Sequence, residues 1–313
     1  MIKLLISGLG GSLFPYLHEQ LKDQYELFYV DNNVRLQNLY PDYNFIPAPL
    51  VTNPNYPTFV QSVIQKSNID YYIPLIDEEI VTAINTVASI IGTTVIAPTL
   101  NFTELCLNKL QLMHYLSTEN ISHISSFAGS DFTNQIDFPL FVKPISGRGS
   151  RGIKKIHSLE QLEAYYLLEE YAKENVLIQP LVEGTEYTVG VLTNNLNNLI
   201  SISSKRIVAK KGITQIAVTE NNELIDRVVL QIVEKMKPCG PINIQLMITP
   251  DFEVKIFEIN PRFSTTTIME YEGGVDLISN FIQNYNKEYL AEPIRPKVNL
   301  TLHRRWENVF YNA

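Results

Sequence analysis

The sequence predicts a mixed fold: an α/β unit built on a parallel sheet, followed by an α+β portion in which antiparallel strands dominate. Residues 1 to about 100 alternate short apolar runs with helical patterns, as a parallel sheet with crossover helices requires. Beyond about residue 175, strand-like runs succeed one another through tight turns, which favours antiparallel pairing. A chain of 313 residues also exceeds what one hydrophobic core usually organises, so two or three subdomains around a cleft are expected.

The first strand is IKLLIS (2–7), followed by a Gly8-Leu9-Gly10-Gly11 turn and the helix SLFPYLHEQLKD, with Pro15 tolerated only in its first turn. ELFYVD (26–31) is the next strand. After a Pro- and Tyr-rich connection come the helix TFVQSVIQKSN, the strand DYYIPLI, a helix from about Glu78 to Ile91 and the strand TTVIAP. A second segment opens with one long helix, FTELCLNKLQLMHYLSTEN. It continues through the strand FPLFVKP, the Gly-rich SGRGSRG, the strand IKKIH, the helix SLEQLEAYYLLEEYAK and the strand NVLIQPLV. The remainder is strand-rich, with helices near 223–237 and after Gly274, and NNLNN (194–198) reads as a hairpin turn.

Bulk properties exclude several classes. The hydrophobic content of 45% supports a folded core, and the formal net charge of -8 argues against a general nucleic-acid surface. Cys106 and Cys239 lie far apart without Cys-x-x-Cys spacing, which fits core thiols in a reducing compartment. The opening run MIKLLISGL is too short for a membrane span and lacks a cleavage-site pattern, so no membrane association and a cytoplasmic location are expected. His18, His114, His123 and His157 lack metal-ligand spacing.

Chemistry concentrates in four places. In KIFEINPR, the residues Glu258, Asn260 and Arg262 alternate on an apolar strand and share one face. A carboxylate beside a carboxamide supplies hard oxygen ligands for Mg²⁺, and a guanidinium two residues on holds a carboxylate or phosphate. Gln245, on the preceding run PINIQLMI, lies opposite Glu258 if TPDFE is a hairpin turn. For Glu258 alone, a half-exposed hairpin face would suffice.

The second place is FVKPISGRGSRG, where a strand delivers Lys143 to a loop containing Ser146, Gly147, Gly149, Ser150 and Gly152. Its backbone N–H groups can fold over polyphosphate while Lys143 offers a point charge. A hairpin with basic tips explains Arg148 and Arg151, but not a lysine on an apolar strand. Lys109, on the helix before it, is either a second phosphate-reaching lysine or part of a solvated face. Third is the hinge IQPLVEGTE, where Gln179, Pro180, Leu181 and Val182 can grip a purine and Glu186 can accept both ribose hydroxyls. Fourth is the basic cluster Lys205, Arg206, Lys210 and Lys211, read as a loop over the cleft that binds triphosphate or an anionic co-substrate, against a solvated loop.

Two other features are weaker. Gly8-Leu9-Gly10-Gly11 with Asp31 imitates a dinucleotide fingerprint, but Leu13 stands where the third glycine belongs. A structural turn and an anion contact both remain open there. The pair Asp77-Glu78, at the C-terminal end of a parallel strand, reads either as a contact for an amine substrate or as an N-cap with acidic first-turn residues.

In their order along nearly the whole chain, these features resemble the ATP-grasp superfamily, most closely its carbamoyl-phosphate-synthetase-like branch. The resemblance implies a Rossmann-like (pre-ATP-grasp) domain at 1–100 and a two-lobed ATP-grasp domain, with its small lobe at 101–182 and its large lobe at 183–313. It implies Mg²⁺, with Mn²⁺ as a substitute, on Gln245, Glu258 and Asn260. It implies ATP on Lys109, Lys143, the loop residues Ser146, Gly147, Gly149, Ser150 and Gly152, the hinge Gln179 to Val182, Glu186 and Lys210. Arg262, Lys143, Lys205 and Arg206 form the expected catalytic set. The implied reaction activates a small-molecule carboxylate as an acyl phosphate and joins it to an amine, releasing ADP and phosphate. A non-catalytic ATP-binding regulator of the same fold is the alternative, and an oxidoreductase is disfavoured by Leu13. Homodimerisation is compatible with the resemblance. The chain departs from the branch in Ser264-Thr265-Thr266-Thr267 after the Arg262-Phe263 pair, and Gln245 replaces an acidic residue common elsewhere in the superfamily.

Overall fold

The computed structural model describes residues 1–147, 152–289, 292–305 and 308–311. Its strands form three sheets. The first is parallel, in the order β3-β2-β1-β4-β5, from β1 (Ile2–Ser7), β2 (Tyr25–Asp31), β3 (Asn44–Pro47), β4 (Tyr71–Ile73) and β5 (Thr94–Val95). Its helices are α1 (Phe14–Leu21), the single turn α2 (Leu36–Leu39), α3 (Tyr56–Ser67) and α4 (Asp77–Val87). Pro15 sits in the first turn of α1, as its missing N–H demands. β1 buries Leu4, Leu5 and Ile6 completely, as expected of a central parallel strand covered on both faces.

The long helix expected from Phe102 to Asn120 is two helices, α5 (Leu100–Leu107) and α6 (Lys109–Thr118). Asn108 breaks it. Its extended backbone interrupts the helix and its side chain caps α6 by accepting from the Gln111 N–H. The Lys109 N–H, freed by the break, donates to Ile145 O at 3.1 Å, so the helix start is tied to the Gly-rich loop.

The second sheet, in the order β6-β9-β7-β8, comprises β6 (Phe127–Ala128), β7 (Leu140–Pro144), β8 (Lys154–Ile156) and β9 (Val176–Pro180), with α7 (Leu159–Leu168) across it. The third is antiparallel, in the order β14-β13-β10-β11-β12-β15. It comprises β10 (Thr185–Thr193), β11 (Leu199–Lys211), β12 (Ile213–Glu220), β13 (Pro241–Ile248), β14 (Val254–Asn260) and β15 (Thr301–His303). Helices α8 (Glu223–Met236), α9 (Ile268–Glu272) and α10 (Leu277–Asn284) accompany it. The 13-residue β11 corrects the reading of Lys205 to Lys211 as a loop. Buried Ile200 and Ile202 alternate with buried Ser201 and Ser203, and pairing with β12 from Ser204 to Lys211 carries the strand through the basic stretch.

One hydrophobic cluster joins Leu4 and Ile6 of the first sheet to Leu192, Ile200, Phe263, Leu277 and Phe281 near the third. That shared packing fixes the first sheet against the cleft. Cys106 is buried and Cys239 half-buried, and neither forms a disulfide. Among the described residues, no helix is long and apolar enough to cross a membrane.

Candidate active site

A cavity of about 490 Å³ opens between the second and third sheets, and the first sheet reaches its edge through Glu78. Strand register explains what it contains. Gln245 pairs with Glu258, Asn243 with Asn260, and Thr188 with Gln245, so these side chains stand in two rows on one face of the third sheet. Glu186, opposite Met247, lies on the hinge side of those rows, and Arg262 follows Asn260 on the far side. At about 3.4 Å per residue, the rows run from the hinge to Arg262 in ligand-sized steps.

A bulge in β14 refines the register. Gln245 opposes Glu258 while Leu246 opposes Ile256, leaving Phe257 as the extra residue. Phe257 thereby joins Glu258 in lining the cavity, where its carbonyl accepts from Lys143 Nζ at 3.1 Å and its ring lies 5.3 Å from the same nitrogen. Sequence reasoning missed Phe257, because strict alternation turns it away. It also missed Thr188 and Asn243, whose side chains hydrogen-bond at 2.7 Å within the cavity wall. Their signal was legible: each lies two residues along a strand from Glu186 or Gln245.

Three lysines converge from separate elements. Lys143 on β7 is only 3% exposed. Burial, with Glu258 opposing and Lys109 and Lys210 reinforcing, lowers its ammonium from the usual range to about 8. Lys109, at the start of α6, is buried and donates to Gly147 O at 2.7 Å. Gly147 has φ +105°, a conformation that glycine adopts readily, and this turns its carbonyl to the lysine. Lys210 donates to Glu186 Oε1 at 2.6 Å and to Gln245 Oε1 at 3.4 Å. Like charges gathered in this way are costly without an anion between them.

The hinge residues Gln179, Pro180, Leu181 and Val182 line the cavity, as do Ser146 and Gly147. Gln179 is buried and its amide donates to Ser126 Oγ at 2.8 Å, which fixes its side chain at the cavity wall. Gly152 is outside the cavity lining, and a Cβ there would meet Tyr171 and Pro144. Gly149 and Ser150 lie outside the described residues, as do Arg148 and Arg151.

Arg262 lines the cavity and is clasped by Asp77, through Nε to Oδ1 and through Nη2 to Oδ2 at 3.2 Å. Asp77 is therefore not the N-cap of α4. Ile76 occupies that position and makes no side-chain cap, while Asp77 spends its carboxylate on Arg262.

Two members of the expected catalytic set are corrected. Lys205 shares the face of Thr188 but is 0% exposed and lies against Glu270 of α9, with Nζ to Oε1 at 2.5 Å. Gly190 makes room for this pair, since a Cβ there would come within 2.3 Å of Glu270 Oε1. Arg206 turns to the opposite face and pairs with Glu220 at 3.1 Å. Neither lines the cavity. In the Gly-rich turn, the Gly10 N–H donates to Asp31 Oδ2 at 3.1 Å, so a carboxylate of the chain itself takes the place an anion would use.

The donor chemistry suits a hard cation. Glu258, Gln245 and Asn260 present one carboxylate and two amide oxygens to one cavity. Mg²⁺ is commonly held by one or two carboxylates together with substrate phosphates, and the lysines provide the counter-charge such phosphates need. Among the described residues no cluster of three His, Cys, Asp or Glu could hold a metal without such help.

A family model described as "ATP-grasp in the biosynthetic pathway with Ter operon" matches residues 172–308. D-alanine--D-alanine ligase A of Salmonella typhimurium is 26% identical over 190 residues, covering 53% of this chain and 51% of that protein. D-alanine--D-alanine ligase of Aquifex aeolicus is 26% identical over 132 residues, covering 39% and 45%. The chain thus spans about half the length of these curated relatives. Among solved structures, biotin carboxylase from Campylobacter jejuni superposes with TM-score 0.78 at 14% identity, covering 96% of this chain and 74% of that one. N5-carboxyaminoimidazole synthetase from Staphylococcus aureus, complexed with ADP, superposes with TM-score 0.75 at 14% identity, covering 95% and 80%. The matched model spans the strands that carry Glu186, Gln245, Glu258 and Asn260, so this part of the chain is similar to ATP-grasp proteins, and the likeness of fold to these solved structures extends over nearly the whole chain.

Proposed function

We propose that the protein is an ATP-dependent carboxylate–amine ligase of the carbamoyl-phosphate-synthetase-like branch. The observation that carries the proposal is the convergence of Glu258, Gln245 and Asn260 with Lys109, Lys143 and Lys210 on one cavity closed at its other end by Arg262. In this reading residues 1–100 act as the Rossmann-like partner domain, 101–182 as the small lobe and 183–313 as the large lobe. Relatives named as D-alanine--D-alanine ligases support the class of reaction.

The nucleotide lies with its base against Gln179 to Val182 and its ribose at Glu186. Lys210 leaves Glu186 for the phosphates as the ribose hydroxyls arrive, exchanging one partner of the carboxylate for another. Lys109 and Lys143 neutralise phosphate oxygens from the opposite wall. Glu258, Asn260 and Gln245 would hold Mg²⁺, which when bound supplies charge neutralisation between phosphates. A substrate carboxylate beside Arg262 attacks the γ-phosphorus, and the guanidinium, held in plane by Asp77, stabilises the acyl phosphate. The amine then displaces phosphate. Catalysis is positioning and electrostatics, and no protein nucleophile is needed.

An ADP-release screen over pairs of small carboxylates and amines tests this. Turnover should require both members of a pair and should vanish in Glu258→Ala while the fold persists by circular dichroism. Full turnover in that variant would remove Glu258 from the chemistry. Nucleotide binding without ADP release for any pair would leave a binding protein.

A further inference from the structure

Of the three lysines in the cavity, Lys210 is held by two side chains with separate tasks. Its Nζ donates to Glu186 Oε1 at 2.6 Å and to Gln245 Oε1 at 3.4 Å. Lys109 and Lys143 instead donate to backbone carbonyls, those of Gly147 and Phe257.

The end of β11 explains how Lys210 comes to lie there. β11 pairs with β10 only as far as Arg206 opposite Tyr187, and its register with β12 shifts twice, between Ile207 and Ala209 and between Ala209 and Lys210. Such irregularities bend a strand. Gly212, in the left-handed region at φ +71°, then turns the chain into β12. The bent end carries Lys210 back to the rows formed by Glu186 of β10 and Gln245 of β13, and all three residues line the cavity.

The chemistry of the three groups makes their contacts exclusive. Gln245 presents an amide oxygen suited to a hard cation, and an ammonium on that oxygen both takes a lone pair and repels a dication. Glu186 accepts two ribose hydroxyls only by giving both carboxylate oxygens to them, and Lys210 holds one of those oxygens. The ion pair is 30% exposed on the lysine and 26% on the glutamate, so solvent screens it and its exchange for other partners costs little.

We propose that Lys210 couples ribose recognition to metal loading. While it rests on Glu186, Lys210 withholds Gln245 from the metal. A nucleotide with both ribose hydroxyls takes Glu186, its phosphates take the ammonium, and Gln245 is released. The inference rests on the nucleotide-binding part of the ligase reading and adds to it a discrimination between ribonucleotides and deoxynucleotides that is exercised through the metal. Coupling between two sites is reciprocal, so the metal strengthens the grip on the hydroxyls by the same factor.

Two measurements test it, and neither needs turnover. In the first, Mn²⁺ is titrated without nucleotide and the free ion is read by electron paramagnetic resonance. Lys210→Met should bind Mn²⁺ at least about threefold more tightly than wild type, the scale of a partly exposed ion pair. The same substitution made in Gln245→Leu should bring no gain, because a direct contact is lost with its acceptor whereas a diffuse charge effect survives. Equal binding by wild type and Lys210→Met, including none by either, overturns the proposal, as does a gain that persists without Gln245.

In the second, calorimetry gives the affinity for a non-hydrolysable ATP analogue with an imido bridge and for its 2′,3′-dideoxy counterpart, each with saturating Mg²⁺ and with chelator. Both bind Mg²⁺ in solution through the same phosphates, so that contribution cancels between them. In wild type, Mg²⁺ should strengthen binding of the ribonucleotide at least about threefold more than that of the dideoxy form, and in Lys210→Met the two gains should be equal. Equal gains in wild type, or a difference that remains in Lys210→Met, overturn the proposal. If neither nucleotide binds under any condition, the ATP-dependent reading fails, and the Mn²⁺ titration still decides whether Lys210 blocks the metal position.

Discussion

Lys143 shows how a single residue can carry two opposite pH dependences. Its ammonium is held near 8 by burial, while in the unfolded chain it titrates in the ordinary lysine range. Between those values the unfolded chain binds more protons, so this group's contribution to stability rises with pH across that window. Nucleotide binding has the reverse sign. Phosphates favour the charged lysine, so affinity for Mg-ATP should be flat below about 8 and fall above it. Calorimetry in buffers of different ionisation enthalpy should show proton uptake on binding at pH above that value, and Lys143→Met should abolish both effects. Lys205 and Glu270 make the second case at this scale. Removing Glu270 leaves a wholly buried ammonium without its carboxylate, and Glu270→Ala should cost about 3–5 kcal/mol in denaturant unfolding. Replacing both by methionine should recover most of the loss, since a buried pair is often matched by apolar groups of similar volume.

At the level of elements, the hairpin of β13 and β14 places the proposed metal ligands, and its bulge at Phe257 decides which side chains face the cavity. Deleting Phe257 restores unbroken pairing but forces one side of the strand to change faces. Because a one-residue slip inverts every side chain beyond it, either Glu258 and Asn260 or Val254 and Ile256 must turn the wrong way. The variant should keep its circular dichroism signature and lose Mg-dependent nucleotide binding by at least about tenfold. The hairpin itself was legible in the sequence from the polar alternation and the TPDFE turn, and the structure pairs Gln245 with Glu258 as that reading required. The bulge was not, because alternation on a strand carries no mark of one extra residue. The break at Asn108 was missed for another reason: Asn is a favoured N-cap and its bond to the Gln111 N–H is local, but the helical pattern running on both sides of it masked the interruption.

For the molecule as a whole, a cavity assembled from elements far apart in sequence should report its ligand as stability. A ligand that binds only the folded state adds about 2.7 kcal/mol at one hundred times its Kd. Saturating Mg-ATP should therefore raise Tm by several degrees, and chelation of the metal should remove most of the rise. A rise unchanged by chelation would contradict the role assigned to Glu258, Gln245 and Asn260. The first sheet belongs to this cooperative unit, since its residues share a core with Phe263 and Phe281 and its Asp77 holds Arg262. Asp77→Ala should thus weaken turnover more than nucleotide affinity, which separate titrations of ATP and co-substrates would resolve.

The sequence alone determined the α/β alternation at the start of the chain, the shared face of Glu258 and Asn260, the position of Lys143 on a buried strand and the turn before Glu186. Each follows from local periodicity or from the cost of burying a charged side chain, and both are written in neighbouring residues. Tertiary structure alone decided which charges meet: Lys205 with Glu270, Arg206 with Glu220, and Asp77 with Arg262. A charged residue in a strand looks the same in sequence whether it serves a ligand or an internal partner, because electrostatic energy depends on distance through space and not on separation along the chain.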